Sequence, residues 1–335
     1  MASDPYGNIS KERDMGFMSD QIRGPRARLC APLALTLVCL LGFGGAERCA
    51  AENVPAVSAV RTLVGKLTFH EEFLDAAGPG AFPDLYPRWK TNYYFGNQSD
   101  ITSRGYVGTI SIMLDGKFAP QPTVLGPMTK DGHLNIFAYR MAPAEFEKYG
   151  KGGTHPYAAG VVTTEKSFAQ AFGYFEVSAK LPDCSGTRPA FWLLPVAKTP
   201  ENGGRLAEID VFEHYGGPIT VLSGGTRPVV IDRVGKPVST LHYGTVTDEK
   251  RLSNAQKLPP RIDLSRFHTF GLLWTPTSMS FYIDQAETWT IANPGVVDPH
   301  YLVLSLDVLN GAGDPANCRF PSAMIVDYVS AWTLR

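Results

Sequence analysis

Residues Ala207 to His214 read Ala-Glu-Ile-Asp-Val-Phe-Glu-His, three carboxylates within six positions otherwise filled by Ile, Val and Phe. Branched and aromatic residues favour a pleated strand. On such a strand Glu208 and Asp210, two apart, share one face, and plain alternation turns Glu213 to the other. One extra residue at Val211-Phe212, a β-bulge, returns Glu213 to the face of the other two. Glu208 and Glu213 are then effectively four strand positions apart, with Cα atoms roughly 13 Å distant at ~3.3 Å per residue. Side chains leaning together over a concave sheet can close that gap. A carboxyl separation of roughly 5–5.5 Å suits double-displacement cleavage of a glycosidic bond, with one group as nucleophile and the other as acid and base. An acidic strand face can also be an ordinary solvated surface. Crowded like charges cost stability, however, unless something uses them.

The elements that must position these groups read as all-β. Tyr174, Glu176, Ser178 and Lys180 alternate with Phe175, Val177, Ala179 and Leu181, a strand with one apolar face. Phe267 to Trp274 and Met279 to Asp284 flank Thr275-Pro276-Thr277-Ser278, a hairpin with a four-residue turn. Tyr301 to Leu309 and Ala323 to Trp332 supply further strands, and Met141 to Tyr157, with two prolines and three glycines, reads as a loop. Neither a long amphipathic helix nor an internal repeat is evident, and 33 Gly with 26 Pro fit many short strands joined by turns.

Several ordered motifs resemble glycoside hydrolase family 16, the endo-β-glucanases and galactanases built on a jelly-roll sandwich. Leu67-Thr68-Phe69-His70-Glu71-Glu72-Phe73-Leu74-Asp75, followed by Arg88-Trp89, is similar to that family's opening F-x-E-F-D … W. Asp131-Gly132-His133-Leu134-Asn135-Ile136 resembles its D-G-x-L-x-I strand. Phe172-Gly173-Tyr174-Phe175-Glu176-Val177-Ser178-Ala179-Lys180-Leu181-Pro182 leads into Arg188-Pro189-Ala190-Phe191-Trp192-Leu193-Leu194-Pro195, similar to G-x-F-E-A-R-x-K-L-P … W-P-A-F-W-L-L. The acidic motif follows, and Met324-Ile325-Val326-Asp327-Tyr328-Val329 resembles the closing strand.

The resemblance implies a jelly-roll β-sandwich of two antiparallel sheets with a concave substrate cleft. It implies Glu208 as nucleophile, Glu213 as general acid and then general base, and Asp210 between them, tuning both. Electrostatics supports that division, because close carboxylates cannot all ionise cheaply and at least one should hold its proton above the usual range. Catalysis would need no cofactor or metal. A structural calcium on the convex side would use Glu72 and Asp327 as side-chain ligands.

Departures from the family pattern bear on substrate. Where the family has the first tryptophan of W-P-A-F-W this chain has Arg188, so a stacking platform becomes a cation with several donors, while Trp192 is retained. Arg188 could suit an acidic or substituted polysaccharide, or be a surface residue. The family's Arg in F-E-A-R falls at Ser178, removing an expected cleft contact, and the late N-L-A-x-G-G-x-W segment becomes Ser305-Leu306-Asp307-Val308-Leu309-Asn310-Gly311-Ala312-Gly313 without its tryptophan. Trp192, Arg188 and His242, the last within a His-Tyr-Gly segment similar to one bordering the family's cleft, are the candidate substrate contacts. His214, Trp89 and Trp274 read as structural. No His/Cys cluster has zinc spacing.

The rest of the chain fits an exported single-domain enzyme. Arg23, Arg26 and Arg28 precede an apolar run from Leu29 to about Phe43, then small residues through Ala51. That order of basic, apolar and small residues describes a signal peptide too short for a comfortable membrane span. Residues 1–51 are therefore expected to be an N-terminal extension and signal peptide, cut after Ala51 or Ala46 or kept as an anchor, and 52–335 the catalytic domain. The full chain carries 31 basic and 32 acidic residues. Such a balance gives no electrostatic reason to bind nucleic acid or acidic membranes. Cys184 and Cys318 are an even pair beyond the leader and could form a disulfide in an oxidising compartment. The expected protein is a monomeric, secreted or periplasmic hydrolase of a β-linked polysaccharide, a β-glucan or a bacterial exopolysaccharide. A transglycosylase would use the same carboxylates, and a non-catalytic carbohydrate-binding protein would not require them.

Overall fold

The computed structural model describes residues 62–74, 88–91, 102–104, 109–114, 128–149, 153–196, 205–223, 227–231, 233–245, 248–257 and 259–335. The expected extension and signal peptide at 1–51 lie outside them. Along the described chain run β1 (Val64–Glu71), β2 (Thr102–Arg104), β3 (Ser111–Leu114), β4 (Met128–Lys130), β5 (His133–Arg140), α1 (Pro143–Tyr149) and β6 (Tyr157–Thr163). They are followed by β7 (Gly173–Lys180), β8 (Thr187–Pro195), β9 (Arg205–Glu213), β10 (Ile219–Ser223), β11 (Arg227–Ile231), β12 (Val238–Thr245) and β13 (Asp248–Ser253). The last are β14 (His268–Trp274), β15 (Ser278–Ile283), β16 (Ala286–Ala292), β17 (His300–Val308) and β18 (Ser322–Leu334).

The strands make a jelly-roll sandwich of two layers. One layer has the order β13-β12-β9-β8-β17-β6, the other β5-β18-β7-β14-β15-β16, with β1 beside β18 and β4 beside β5. The layers are continuous where β5 meets β6 through Tyr139 with Ala158 and Arg140 with Tyr157. Neighbours are antiparallel except β3, which runs parallel to β6. Turn chemistry sets the registers. Asp131 and Gly132 both take positive φ, 55° and 73°, and close β4 onto β5 as a two-residue hairpin. The expected hairpin turn at 275–278 is also present, with Thr275 N–H donating to the Ser278 carbonyl at 2.8 Å.

Between the layers lies one large core. Alternate residues of β8 and β17 (Phe191 and Leu193; Leu302, Leu304 and Leu306) meet Phe175 and Val177 of β7 and Phe270 and Leu272 of β14. Phe212 of β9 and Phe270 bring their ring centroids to 4.2 Å across the two layers. Trp89 and Trp274 are wholly buried in this core, as expected of structural tryptophans. Burying each large apolar side chain contributes roughly 1.5–3 kcal/mol. The period of two then turns the intervening residues of β8, β9, β12 and β17 to the opposite face, where the cleft lies.

Three local expectations need correction. Residues 141–157 are not all loop, because α1 forms there. Pro143 occupies its first turn and the Glu145 carboxylate accepts from Ala142 N–H at 2.9 Å, which together start a short helix despite the prolines. The polar face of β7 is buried too, since Glu176 accepts hydrogen bonds from Tyr174 and Tyr328, each 2.8 Å. Ser178 lies on that same face, in the layer opposite the acidic motif, with its hydroxyl 3.3 Å from Asp327. The loss of an arginine at this position therefore does not alter the cleft.

Cys184 and Cys318 are joined by a disulfide with Cα atoms 4.9 Å apart, spanning 134 residues. It staples the entry to β8 against the segment after β17, where Gly186 and Leu309 exchange backbone bonds with their surroundings. A Cβ at Gly216 would run into the Cys184 carbonyl, so a side chain there is sterically excluded. Closing so long a loop should stabilise by roughly 2–4 kcal/mol. The double variant Cys184→Ala/Cys318→Ala should melt roughly 5–15 °C below wild type, and an unchanged thermal transition would contradict that assignment.

Candidate active site

The site is built by β9. Ala207, Ile209, Val211 and Phe212 all belong to the core, so two consecutive residues point inward. The pairing shows why. On β12, Val238 pairs with Glu213 and Thr240 with Asp210, and on β8, Phe191 pairs with Phe212 and Trp192 with Asp210. β9 thus holds one more residue than either neighbour between Asp210 and Glu213, a bulge at Val211-Phe212. The Val211 carbonyl is satisfied by the Ser239 hydroxyl at 2.8 Å. Glu208, Asp210 and Glu213 consequently share the face turned away from the core.

Around them the charges are close. Asp210 is 3% exposed. Burial, then the negative charges of Glu213 and Glu208, push its carboxyl well above the usual range, against the pull of Arg188 and Arg251. Burial and the neighbouring carboxylates thus favour the neutral form of Asp210. His242, across the ladder from Glu208, places Nδ1 2.7 Å from Glu249 Oε1 and Nε2 3.6 Å from Asp210 Oδ2. Ligand atoms of Glu208, Asp210 and His242 all lie within 4.8 Å of one another, a set that could also take a divalent cation.

The other predicted contacts fall on the same face with different surroundings. Trp192 pairs with Asp210, is 3% exposed and donates its indole N–H to Ser305 Oγ at 3.1 Å, packed with Ala190, Leu194, Tyr301 and Val303 as a floor beneath the carboxylates. Arg188 is not a free surface cation. Its Nη1 donates to Glu213 Oε1 at 3.0 Å and its Nη2 to Asp307 Oδ2 at 3.3 Å. His214 points away from Glu213 and is fully buried. Its Nε2 accepts from Gly235 N–H at 2.9 Å, and burial followed by Arg261 lowers its pKa to about 4. Glu72 is bonded to His70 at 3.2 Å, and Asp327 lies near Ser178 and His133.

Asp307, Glu249 and Tyr215 belong to this neighbourhood and were not singled out from sequence. Asp307 is 2% exposed and raised by burial, opposed by Arg188. Tyr215, next to the bulge, is raised to about 12 by burial and then by Glu213. The one available signal was that Arg188 and Asp307 both stand in segments that depart from the resembled pattern.

Asp210 gives a prediction about stability. Its folded form holds a proton to higher pH than the unfolded chain does. Its contribution is thus fullest below the unfolded carboxylate range and is lost as pH rises through the folded value. Asp210→Asn, isosteric and uncharged, should melt above wild type at pH 7, with the advantage shrinking towards pH 4. Thermal melts at both values test this, and a variant less stable than wild type at pH 7 would contradict it.

Comparisons with known proteins bear on the family and the fold. The family model for glycosyl hydrolases family 16 matches residues 129–301. Endo-1,3-1,4-beta-glycanase EglC of Rhizobium meliloti is 30% identical over 73% of this chain and 48% of its own length. Endo-1,3-1,4-beta-glycanase ExsH of the same organism is 31% identical over 66% of this chain and 42% of its own. The chain thus spans about half the length of these relatives. The catalytic domain of an endo-1,3-beta-glucanase (laminarinase) from Thermotoga petrophila superimposes with a TM-score of 0.54 at 19% identity, covering 81% of this chain and 98% of that one, a likeness of fold. With more than half of its residues matched, and with the sandwich and its acidic strand in place, the chain belongs to glycosyl hydrolases family 16.

Proposed function

We propose that this chain is a secreted, retaining endo-glycosidase that hydrolyses β-glycosidic bonds of a polysaccharide. The observation that carries the reading is the bulge that sets Glu208, Asp210 and Glu213 on one strand face. In this scheme Glu208 attacks the anomeric carbon while Glu213 protonates the departing glycosidic oxygen, so the bond to the leaving sugar breaks as the ester to Glu208 forms. Glu213, now a carboxylate, takes a proton from water, whose oxygen displaces Glu208 and restores both groups. Asp210, whose burial favours its neutral form, sits between the two without adding a second negative charge.

A β-glucan is the first substrate to try, because two relatives carry the name endo-1,3-1,4-beta-glycanase; an exopolysaccharide is the second. Export is supported by the basic, apolar and small-residue order of residues 23–51 and by the disulfide, which belongs to an oxidising compartment. Among the described residues no helix is long and apolar enough to cross a membrane. The chemistry requires no cofactor. Glu72 and Asp327 do not by themselves supply a calcium cage, since each is engaged with protein donors and neither joins a group of three metal-binding side chains among the described residues. The enzyme is taken to act as a monomer.

Reducing-end release from lichenan, laminarin, agarose, carrageenan and an acidic exopolysaccharide tests the reading. Wild type should cut a β-glucan, and Glu208→Gln should lose ~10³-fold or more in kcat with an unchanged melting temperature. Binding without release by wild type would favour a carbohydrate-binding protein instead, and lengthened chains among the products a transglycosylase.

A further inference from the structure

Arg188 and Asp307 stand directly opposite each other on β8 and β17, while Ala190, two positions along the same face of β8, pairs with Glu213. The Arg188 side chain is 19% exposed, that of Glu213 12% and that of Asp307 2%. The two terminal nitrogens of the guanidinium are thus each held by a carboxylate on a different strand. A planar fork anchored at both ends has little rotational freedom, unlike an ammonium on a flexible stem. Asp307 itself gains little from the arrangement. Burying a carboxylate is costly and an ion pair seldom does better than a packed apolar pair, and Asp307 Oδ1 has no hydrogen-bond partner. The disulfide and the backbone bonds around Gly186 fix both strands within a few residues of the pair. What the buried carboxylate does provide is a rigid seat for a cation whose other arm ends on Glu213.

We propose that Arg188, seated by Asp307, is a positioning residue that aims the Glu213 carboxyl at the glycosidic oxygen. This rests on the hydrolytic role of Glu213 given above. It also removes Arg188 from the list of groups that meet the substrate: its charge is spent inward, on two protein carboxylates, and not on an anionic sugar.

Leaving-group dependence separates positioning from simple structural support. Lichenan requires a proton from Glu213 as the bond breaks, whereas 2,4-dinitrophenyl β-cellobioside releases a phenolate that needs none. The full chain should be compared as wild type, Arg188→Met, Arg188→Lys and Asp307→Asn, following steady-state kinetics on lichenan and the single-turnover release of dinitrophenolate. Arg188→Met should lose about 100-fold in kcat on lichenan, with KM changed by less than about threefold and dinitrophenolate release by less than about fivefold. Asp307→Asn should show the same contrast, more weakly, and Arg188→Lys should recover part of the loss; these milder variants carry the test if Arg188→Met does not fold. Equal losses on both substrates would overturn the proposal, as would a loss confined to KM on an acidic exopolysaccharide, which would make Arg188 a substrate contact. Wild type turning over neither these substrates nor any polymer of the panel above would instead contradict the hydrolase reading itself.

Discussion

A strand with a side-chain period of two cannot show residues 208, 210 and 213 on one face unless one residue leaves the ladder between the last two. β9 meets that requirement at Val211-Phe212, where both side chains enter the core and the Ser239 hydroxyl donates to the Val211 carbonyl. The bulge is held from both sides, because β8 and β12 each pair with β9 both before and after the register shift. Phe212, packed on Phe270 of the opposite layer, makes the shift part of the sandwich core. Slipping the register back by one would take Phe212 out of that core and turn Glu213 into it, two costs that oppose the slip. The same apolar contacts that stabilise the fold therefore fix the acidic face.

That face is electrostatically expensive. Glu208 and Glu213 act on Asp210, Arg188 joins Glu213 to Asp307, and Arg251 acts on Asp210 from β13. Burial drives Asp210 and Asp307 towards their neutral forms. The protein divides the problem: Asp210, almost without solvent, is favoured in its neutral form, while Arg188 offsets Asp307 and orients Glu213. A cluster of this kind lowers stability near neutral pH, a cost usually found where a site needs it. Trp192 and its apolar neighbours form a dry floor beneath the charges, which strengthens each interaction above it.

Much of this was legible in the sequence because it is local. The spacing of Glu208, Asp210 and Glu213 pointed to a bulge at Val211-Phe212, since plain alternation would turn Glu213 to the other face. The hairpin at 275–278 and the strands around 174–181, 301–309 and 323–332 followed from periodicity and turn chemistry. What could not be read was long-range register. Whether Arg188 faces substrate or protein depends on β17 bringing Asp307 opposite it, more than a hundred positions away. The position of Ser178 depends on which layer β7 joins, and the burial of Glu176 on tyrosines supplied by two different strands. The helix α1 was missed because Pro143 and Pro156 of that segment read as breakers, although Pro143 stands at the first helical position, where proline is tolerated.

The central claim is that Glu208 forms a covalent bond to sugar. Its most direct test is to treat the wild-type enzyme with an activated 2-deoxy-2-fluoro β-cellobioside and map the labelled peptide by mass spectrometry. The account predicts a stable glycosyl adduct on the peptide containing residues 207–214, located at Glu208 and absent from Glu208→Gln. An adduct on another residue would contradict it, as would turnover of the natural polymer with inversion at the anomeric carbon and no adduct at all.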